Sequence, residues 1–220
     1  MTLDFERDGA AHLAGAAAPF LARLHALADA LPADKAGLRL HGVPGFAELL
    51  APDALGAPAI KRLGAAARPV RAILFDKSAA TNWALGWHQD RTIAVRERVE
   101  AAGYGPWSTK QGLLHVEPPF ALFESMVTLR IHLDAVPADN APLLVAPGSH
   151  RLGRVPEAEI AAAVARCGTE TCLAEPGDVW IYSTPILHAS AASSVKAHRR
   201  VLQVDYASAE LPPDLAWLGV

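Results

Sequence analysis

From Val70 onward the chain is a succession of short runs of β-branched and aromatic residues, separated by turn-forming residues. The runs include RAILFD, MVTLRIHL, PLLVAP, DVWIYST and RRVLQVDY, and segments such as PADNAP and AEPGD supply the Pro, Gly, Asn and Asp of turns. One helical pattern, EAEIAAAVARC, lies among them, but strands and helices do not alternate regularly as they do around a parallel sheet. The sequence therefore predicts an α+β, mainly β fold with an antiparallel sandwich or small barrel.

The first third of the chain has the spacing of helices. Residues 46–63 should form one or two short helices, and Pro32 should end an earlier one. Apolar residues of that earlier helix recur at steps of three and four, as on a buried helix face: Leu13, Ala17, Phe20, Leu24, Leu27 and Leu31. We expect one domain over residues 1–220, in which a mainly helical part, 1–69, packs on one sheet of a β core, 70–206.

Charge and composition exclude several classes of partner. A net charge of −3 provides no basic surface for nucleic acid, and no apolar run approaches the ~20 residues that span a bilayer. The two cysteines, Cys167 and Cys172, are too few for a disulfide framework and suit a reducing compartment. We therefore expect a cytoplasmic protein that binds neither nucleic acid nor membranes. The sequence gives no indication of the oligomeric state.

The motif Trp-His-Gln-Asp at residues 87–90 carries the strongest sign of chemistry. Residues i and i+2 of a β-strand share a face, so His88 and Asp90 would project in the same direction. With an imidazole from another strand, for which His188 in TPILHAS is the candidate, they would form the two-histidine, one-carboxylate set of non-haem iron(II) oxygenases. Taken alone, a His-x-Asp pair arises often by chance, and a solvated surface strand is its default explanation.

Arg199 strengthens the interpretation as a metal site. It lies eleven residues after His188 and opens the run RRVLQVDY. A guanidinium binds a carboxylate through two parallel hydrogen bonds, so Arg199 could hold the distal carboxylate of 2-oxoglutarate. Ser190 would share a strand face with His188 and could donate its hydroxyl to the same carboxylate.

Together these residues resemble the phytanoyl-CoA dioxygenase family of iron(II)- and 2-oxoglutarate-dependent oxygenases. The resemblance rests on FDKSAATNWALGWHQD, LLVAPGSHRLG and PGDVWIYSTPILHASAASSVKAHRRVLQVDY, and it covers residues 70–206. It implies a double-stranded β-helix, which is a jelly-roll barrel of the cupin type. It also implies Fe(II) on His88, Asp90 and His188, and 2-oxoglutarate on Arg199 and Ser190, with O2 as co-substrate.

The resemblance extends to the reaction and to further residues. It implies hydroxylation of an unactivated C–H bond in a small molecule or a peptide side chain, with release of succinate and CO2. Asp90 fills the position that halogenating relatives leave free for chloride, which favours hydroxylation. Lys77 lies where many members carry a lysine near the co-substrate.

Arg130 is a departure from the family pattern, because many members place a tryptophan against 2-oxoglutarate at this point. If Arg130 faces inward, Thr128 and His132 face inward with it, which makes Arg130 and Thr128 candidate contacts to the co-substrate. His132 itself is expected to be a structural histidine. Together with Lys77 and Arg91, Arg130 suggests an acidic substrate.

The segment Arg91–Pro119 is predicted to be a long loop that could close over the site as a lid. Trp107 within it is a candidate substrate contact, whereas Trp83 and Trp87 are expected to pack in the core. Two alternatives remain open. One is a cupin-like metalloenzyme that does not use 2-oxoglutarate and has no need of Arg199, and the other is a non-catalytic sensor that binds iron or 2-oxoglutarate.

Overall fold

The structure is a computed structural model that describes residues 2–32, 35–78, 81–195 and 198–220. Thirteen strands and five α-helices are present in these ranges. The helices are α1 (Phe5–Asp8), α2 (Leu21–Asp29), α3 (Phe46–Leu49), α4 (Ala57–Leu63) and α5 (Ile160–Cys167). The strands are β1 (Ala10–Leu13), β2 (Gly37–Leu40), β3 (Arg68–Lys77), β4 (Leu85–His88), β5 (Ile93–Ala94), β6 (Trp107–Lys110), β7 (Leu113–Val116), β8 (Met126–His132), β9 (Leu143–Val145), β10 (Glu170–Cys172), β11 (Val179–Ser183), β12 (His188–Ser190) and β13 (Arg199–Ala207).

The strands form antiparallel sheets, as the run of short β segments predicts. The largest sheet has six strands in the order β1-β11-β8-β13-β3-β2, and a second has four in the order β10-β9-β12-β4. Side chains from facing surfaces of these two sheets, including Leu143, Val145, Trp180 and Tyr182, pack together in one buried cluster. The two sheets therefore lie face to face, with a cavity between them.

Strand β8 shows how the sequence separates the two faces of the large sheet. Leu129 and Ile131 pack in the main hydrophobic cluster with helical residues such as Leu24 and Phe46. Thr128 and Arg130 alternate with them and face the other sheet, because successive side chains of a strand point to opposite faces. The N-terminal helices thus cover the outer face of the six-stranded sheet, as predicted.

The N-terminal third also contains two strands that its sequence pattern did not predict. Leu13 belongs to the predicted helix face, but in the structure it ends β1, which pairs with β11. Strand β2 pairs with β3 and forms one edge of the six-stranded sheet. The helical spacing holds for α2, where Leu24 is fully buried, and Pro32 follows the end of that helix. Short strands acquire their partners from distant sequence, so local periodicity alone misses them.

The prediction of a long loop over Arg91–Pro119 is wrong. This segment contains β5, β6 and β7, which form a three-stranded antiparallel sheet in the order β5-β7-β6. Ile93, Val95 and Val116 are buried with residues from one end of the large sheet and from the C-terminal segment. The segment is a folded unit with its own apolar core.

In the part of the chain that the structure describes, no helix is both long enough and apolar enough to cross a membrane.

Leu129 provides a test of the main core. Its side chain is fully buried between the large sheet and the helices, so Leu129→Ala should lower the free energy of unfolding by about 2–5 kcal/mol through lost burial and a residual cavity. Urea denaturation measures the change. Leu173 is 46% exposed, and Leu173→Ala, the matched control, should change stability by less than about 0.5 kcal/mol. Equal stability of the two variants would contradict the assignment of this core.

Candidate metal and co-substrate site

Strand pairing brings the two predicted histidine ligands together. Strand β12 pairs with β4, and His188 lies directly opposite His88. The centroids of their rings are 4.2 Å apart. Asp90 lies two residues beyond the end of β4. It therefore reaches the cluster from an irregular segment, whereas the sequence predicts that it lies on the same strand as His88. One potential ligand atom from each of the three residues lies within 4.8 Å of the others.

Backbone carbonyls fix the orientation of both imidazoles. The Nδ1 atom of His88 lies 2.8 Å from the carbonyl oxygen of Gly86, and that of His188 lies 3.0 Å from the carbonyl oxygen of Ile186. Each Nδ1 is therefore the protonated nitrogen, and each Nε2 keeps its lone pair for a ligand. Burial, with the proximity of His88, lowers the pKa of His188 to about 4, so this imidazole is neutral at neutral pH.

Asp90 belongs to a buried charge network. Arg71 donates to Asp90 over 3.0 Å and also donates to Asp205, and both of these partners are largely or fully buried. Burial acts to raise the pKa of Asp90, but the guanidinium of Arg71 and the two imidazoles outweigh it and hold that pKa below its usual value. Asp90 is therefore an ionised carboxylate with a fixed orientation. Arg71 is not among the residues that the sequence pattern selects. Its position on a predicted strand, an even number of residues before Lys77, indicates that both side chains face the same side of the sheet.

Thr128 faces inward, as the alternation in β8 predicts, but it supports this charge network. Its hydroxyl donates to Asp205 over 2.9 Å and lies 3.1 Å from the hydroxyl of Thr184. Thr128 is not among the residues that line the cavity. Its position does not support the predicted contact with the co-substrate.

The predicted carboxylate-binding residues gather at another part of the same cavity. Arg199 lies opposite Lys77 in the pairing of β13 with β3, and both side chains are almost fully buried. Lys77 Nζ donates to Ser190 Oγ over 2.9 Å and to the carbonyl oxygen of Ala191 over 2.6 Å. Arg199 donates to the carbonyl oxygen of Ala141, while its Nε has no partner. The donor groups of Lys77, Arg199 and Ser190 thus lie close together in the cavity.

Neither Lys77 nor Arg199 forms an ion pair with any carboxylate that the structure describes. Burial, together with the charges of Arg199 and Arg130, lowers the pKa of Lys77 to about 7. Burial and Arg130 also lower the pKa of Arg199. Buried cations without a counter-ion are unfavourable, so this cluster is suited to an anionic ligand.

Arg130 lines the cavity between these groups, as its inward orientation predicts. It donates to Gln203 Oε1 over 3.0 Å, and its guanidinium lies 5.4 Å from the centroid of the Phe75 ring. His132 shares its strand face but does not line the cavity. Both ring nitrogens of His132 are buried without a partner, and burial, with the charges of Arg130 and Arg199, lowers its pKa to about 3. It is a neutral structural histidine.

Trp83 and Trp107 have the reverse of their predicted positions, since Trp83 lies at the cavity and Trp107 lies in an apolar cluster. Trp83 lines the cavity, and Lys77 Nζ lies 4.8 Å from its ring centroid. Trp107 instead packs in the cluster below the three-stranded sheet, with the Arg98 guanidinium 5.4 Å from its ring. Trp87 packs against α5 residues and Leu187, as expected for a core residue.

The cavity has a volume of about 210 Å³ and is lined by both large sheets. Two basic residues that sequence reasoning did not select, Arg39 and Lys110, also line it. Arg91, which was expected to contribute to an acidic-substrate site, is directed elsewhere and donates to the carbonyl oxygen of Val155 over 3.2 Å. No local signal identified Arg39 or Lys110, because the elements that carry them were not predicted as strands.

A mainly β fold with a two-histidine, one-carboxylate cluster beside buried basic residues is the arrangement expected of a non-haem metal oxygenase. The sequence profile of the phytanoyl-CoA dioxygenase family matches residues 5–201, and the chain belongs to that family. A sequence search of curated proteins finds no match.

Solved structures share the fold at low sequence identity. AviO1 from Streptomyces viridochromogenes Tue57 is 23% identical with a TM-score of 0.66, over 97% of this chain and 99% of that one. EctD from S. alaskensis with bound Fe is 21% identical with a TM-score of 0.64, over 92% and 74% of the two chains. HygX from Streptomyces hygroscopicus with nickel and 2-oxoglutarate bound is 15% identical with a TM-score of 0.63, over 92% and 84%.

The role of Arg71 can be tested by stability measurements. Arg71→Met should lower the free energy of unfolding by about 3–5 kcal/mol, because it leaves Asp90 and Asp205 buried without their shared cation. Adding Asp205→Asn should recover part of this loss by removing one unpaired charge.

Urea denaturation of the metal-free protein at pH 7 measures both effects. Arg68→Met is the matched control, since Arg68 lies on the same strand and pairs with the exposed Glu210, a contact worth less than about 1 kcal/mol. No recovery in the double variant would contradict the shared-cation arrangement.

Proposed function

We propose that the protein is an iron(II)- and 2-oxoglutarate-dependent dioxygenase that hydroxylates an unactivated C–H bond of a small molecule or a peptide side chain, with release of succinate and CO2. The observation that carries the proposal is the convergence of His88, Asp90 and His188 in the same cavity as two buried cations, Lys77 and Arg199. Membership of the phytanoyl-CoA dioxygenase family supports the same chemistry. So does the fold shared with proteins whose structures hold iron, nickel or 2-oxoglutarate.

The donor set fits a divalent iron ion. His88 and His188 would each contribute Nε2, and Asp90 would contribute a carboxylate oxygen that Arg71 keeps ionised. Two imidazoles and one carboxylate are the ligand set that would hold iron(II) and still allow co-substrate and O2 to bind. When bound, the iron supplies O2 activation coupled to the oxidative decarboxylation of 2-oxoglutarate. The carbonyls of Gly86 and Ile186 keep the imidazoles in the required orientation.

The basic cluster fits the distal carboxylate of 2-oxoglutarate. Arg199 would bind it through its guanidinium, Lys77 would donate to it from the neighbouring strand β3, and Ser190 would donate to it from β12 of the other sheet. The Nε of Arg199 is buried without a partner, which is the condition expected of a donor that awaits its ligand. Arg130, held by Gln203, would meet a carboxylate of the co-substrate or of the substrate.

We also propose that the six-stranded and four-stranded sheets are those of a double-stranded β-helix, within one oxygenase domain. The packing of their inner faces and the cavity between them support this. A cupin-like metalloenzyme without 2-oxoglutarate would have no use for an isolated buried Arg199. A non-catalytic sensor would produce no succinate from 2-oxoglutarate.

The metal ligands can be tested singly. Replacement of His88, Asp90 or His188 by Ala should lower iron(II) affinity by more than the ~10- to 100-fold that loss of an outer-shell partner costs, and should abolish succinate formation. Metal content and succinate production from 2-oxoglutarate measure the two effects. His41 is exposed and outside the cavity, so His41→Ala is the control and should behave as the wild type. Full succinate production by the Asp90→Ala variant would refute the assignment.

The pH dependence of co-substrate binding tests Lys77. Its pKa is about 7 in the free protein, and a bound carboxylate raises that pKa again, so binding requires the protonated amine. The affinity for N-oxalylglycine, an unreactive mimic of 2-oxoglutarate, should be constant below pH 6 and fall roughly tenfold between pH 7 and pH 8.5.

Calorimetric titration of the manganese-loaded protein measures this dependence. Lys77→Gln should bind more weakly and show a flatter pH profile. Arg199→Gln should lose most of the affinity and shift the fall in affinity to higher pH, because the charge of Arg199 helps to lower the pKa of Lys77. A wild-type profile that stays flat up to pH 8.5 would exclude Lys77 from the site.

A further inference from the structure

Two basic residues at the edge of the cavity have no part in the proposed reaction. Arg39 on β2 and Lys110 on β6 are half-buried and line the same cavity as the histidine and aspartate cluster. Lys110 Nζ donates to Thr92 Oγ1 over 2.8 Å, and the Nε of Arg39 is buried without a partner. Among the described residues, neither forms an ion pair.

A β-hairpin places Lys110 next to the strand that carries Arg39. Strands β6 and β7 are joined by Gln111 and Gly112, whose φ values of 52° and 79° give the left-handed pair of a tight two-residue turn. The Gln111 side chain accepts from the backbone N–H of Arg39 over 2.9 Å and donates to the carbonyl oxygen of Gly37 over 2.6 Å. The tip of the hairpin is thereby fastened to the open edge of β2, which keeps Lys110 beside Arg39.

The charges of the cavity do not balance. The carboxylate that lines it, Asp90, is matched by Arg71. If Arg199, Lys77 and Arg130 hold the co-substrate, one carboxylate of 2-oxoglutarate takes up part of the positive charge at that end. Arg39 and Lys110 then remain without a counter-ion. Burial and the charge of Arg71 lower the pKa of each.

These two residues also lie on the side of the cavity that is close to the metal ligand. Lys110 donates to the Thr92 hydroxyl, and Arg71 donates both to the carbonyl oxygen of Thr92 and to Asp90. Apolar surface is available in the same cavity, since Leu85, Phe75 and Trp83 line it and Leu85 is 48% exposed. An anion held here would keep an attached carbon chain near the metal ligands.

We propose that Arg39 and Lys110 form an anion subsite that binds a carboxylate or phosphate group of the substrate, with the apolar part of the substrate in the cavity. The inference rests on the proposed function, which it deepens by assigning the substrate class: a small molecule with one anionic group and an apolar body. Two cations on separate strands can donate to different oxygens of one such group. The hairpin sets the distance between them.

The test uses wild-type protein loaded with manganese(II) and saturated with N-oxalylglycine, so that the site at Arg199 is filled. Hexanoate, hexyl phosphate and hexanamide are then titrated by calorimetry. The subsite predicts that at least one of the anions binds ten times or more tightly than the uncharged amide. The tighter of the two anions identifies the recognised group as a carboxylate or a phosphate.

Variants distinguish anion binding at Arg39 and Lys110 from a general effect of the basic residues of the protein. Arg39→Gln and Lys110→Gln should each weaken anion binding about tenfold and leave hexanamide unaffected, while Arg39→Lys and Lys110→Arg retain most of the affinity. Arg98→Gln is the matched control, because Arg98 is a mostly exposed arginine that packs on Trp107 outside the cavity, and it should bind as the wild type does.

Two results would overturn the subsite: hexanamide binding as tightly as both anions, or unchanged anion affinity in Arg39→Gln and Lys110→Gln. Failure of the proposed function has a different signature. In that case N-oxalylglycine itself would not bind to the manganese-loaded wild type, before any anion is added.

Discussion

The antiparallel pairing of β12 with β4 is the constraint on which the candidate site depends. It places His188 opposite His88, two residues that are a hundred positions apart in the chain. A one-residue shift in this register would turn one imidazole to the opposite face, because side chains alternate along a strand. The far side of the same sheet packs against α5 through Trp87 and Leu187, so the register is also fixed by burial. The metal site and the packing of the sheet therefore select the same pairing.

A second constraint is the distribution of charge between the sheets. On the metal side, one guanidinium serves two carboxylates, Asp90 and Asp205, and Thr128 donates to the second. On the other side, Lys77, Arg130 and Arg199 are buried with neutral hydrogen-bond partners. Charged groups leave water at a large cost unless they are paired. This distribution of charge suits an anionic ligand next to the unpaired basic residues and a metal cation next to the ionised Asp90.

The sequence alone predicts the central strands and proposes three metal ligands that the fold brings close together. Runs such as MVTLRIHL are long and rich in β-branched residues, and they form central strands whose burial matches that composition. His88, Asp90 and His188 come together in the fold, and Arg199 lines the same cavity, because each lies in or beside a strand of the two large sheets. Even here the geometry differs in detail, since Asp90 lies beyond its strand and not within it.

What the sequence did not predict lies at the edges of the fold. Strand β2 is short and half-buried, and β6 has polar residues in its middle, so neither has a clear alternating pattern. Their structure depends on contacts from distant residues, such as those of Gln111 with the backbone of β2. Because Arg39 and Lys110 are carried by these strands, their convergence could not be inferred before the tertiary structure was known. Arg71 differs, since it lies on a strand that was predicted.

The attachment of the hairpin to β2 connects the stability of the fold with the proposed subsite. Exposed edge strands invite pairing with other chains, and the Gln111 side chain occupies two backbone groups of this edge. The same contact brings together two cations that repel each other, which opposes folding. The apolar cluster below the three-stranded sheet, with Ile93 and Val116 fully buried, offsets that repulsion. Since proteins tolerate such conflicts between charge and stability mainly at functional sites, the conflict at Arg39 and Lys110 is itself an argument that an anion binds there.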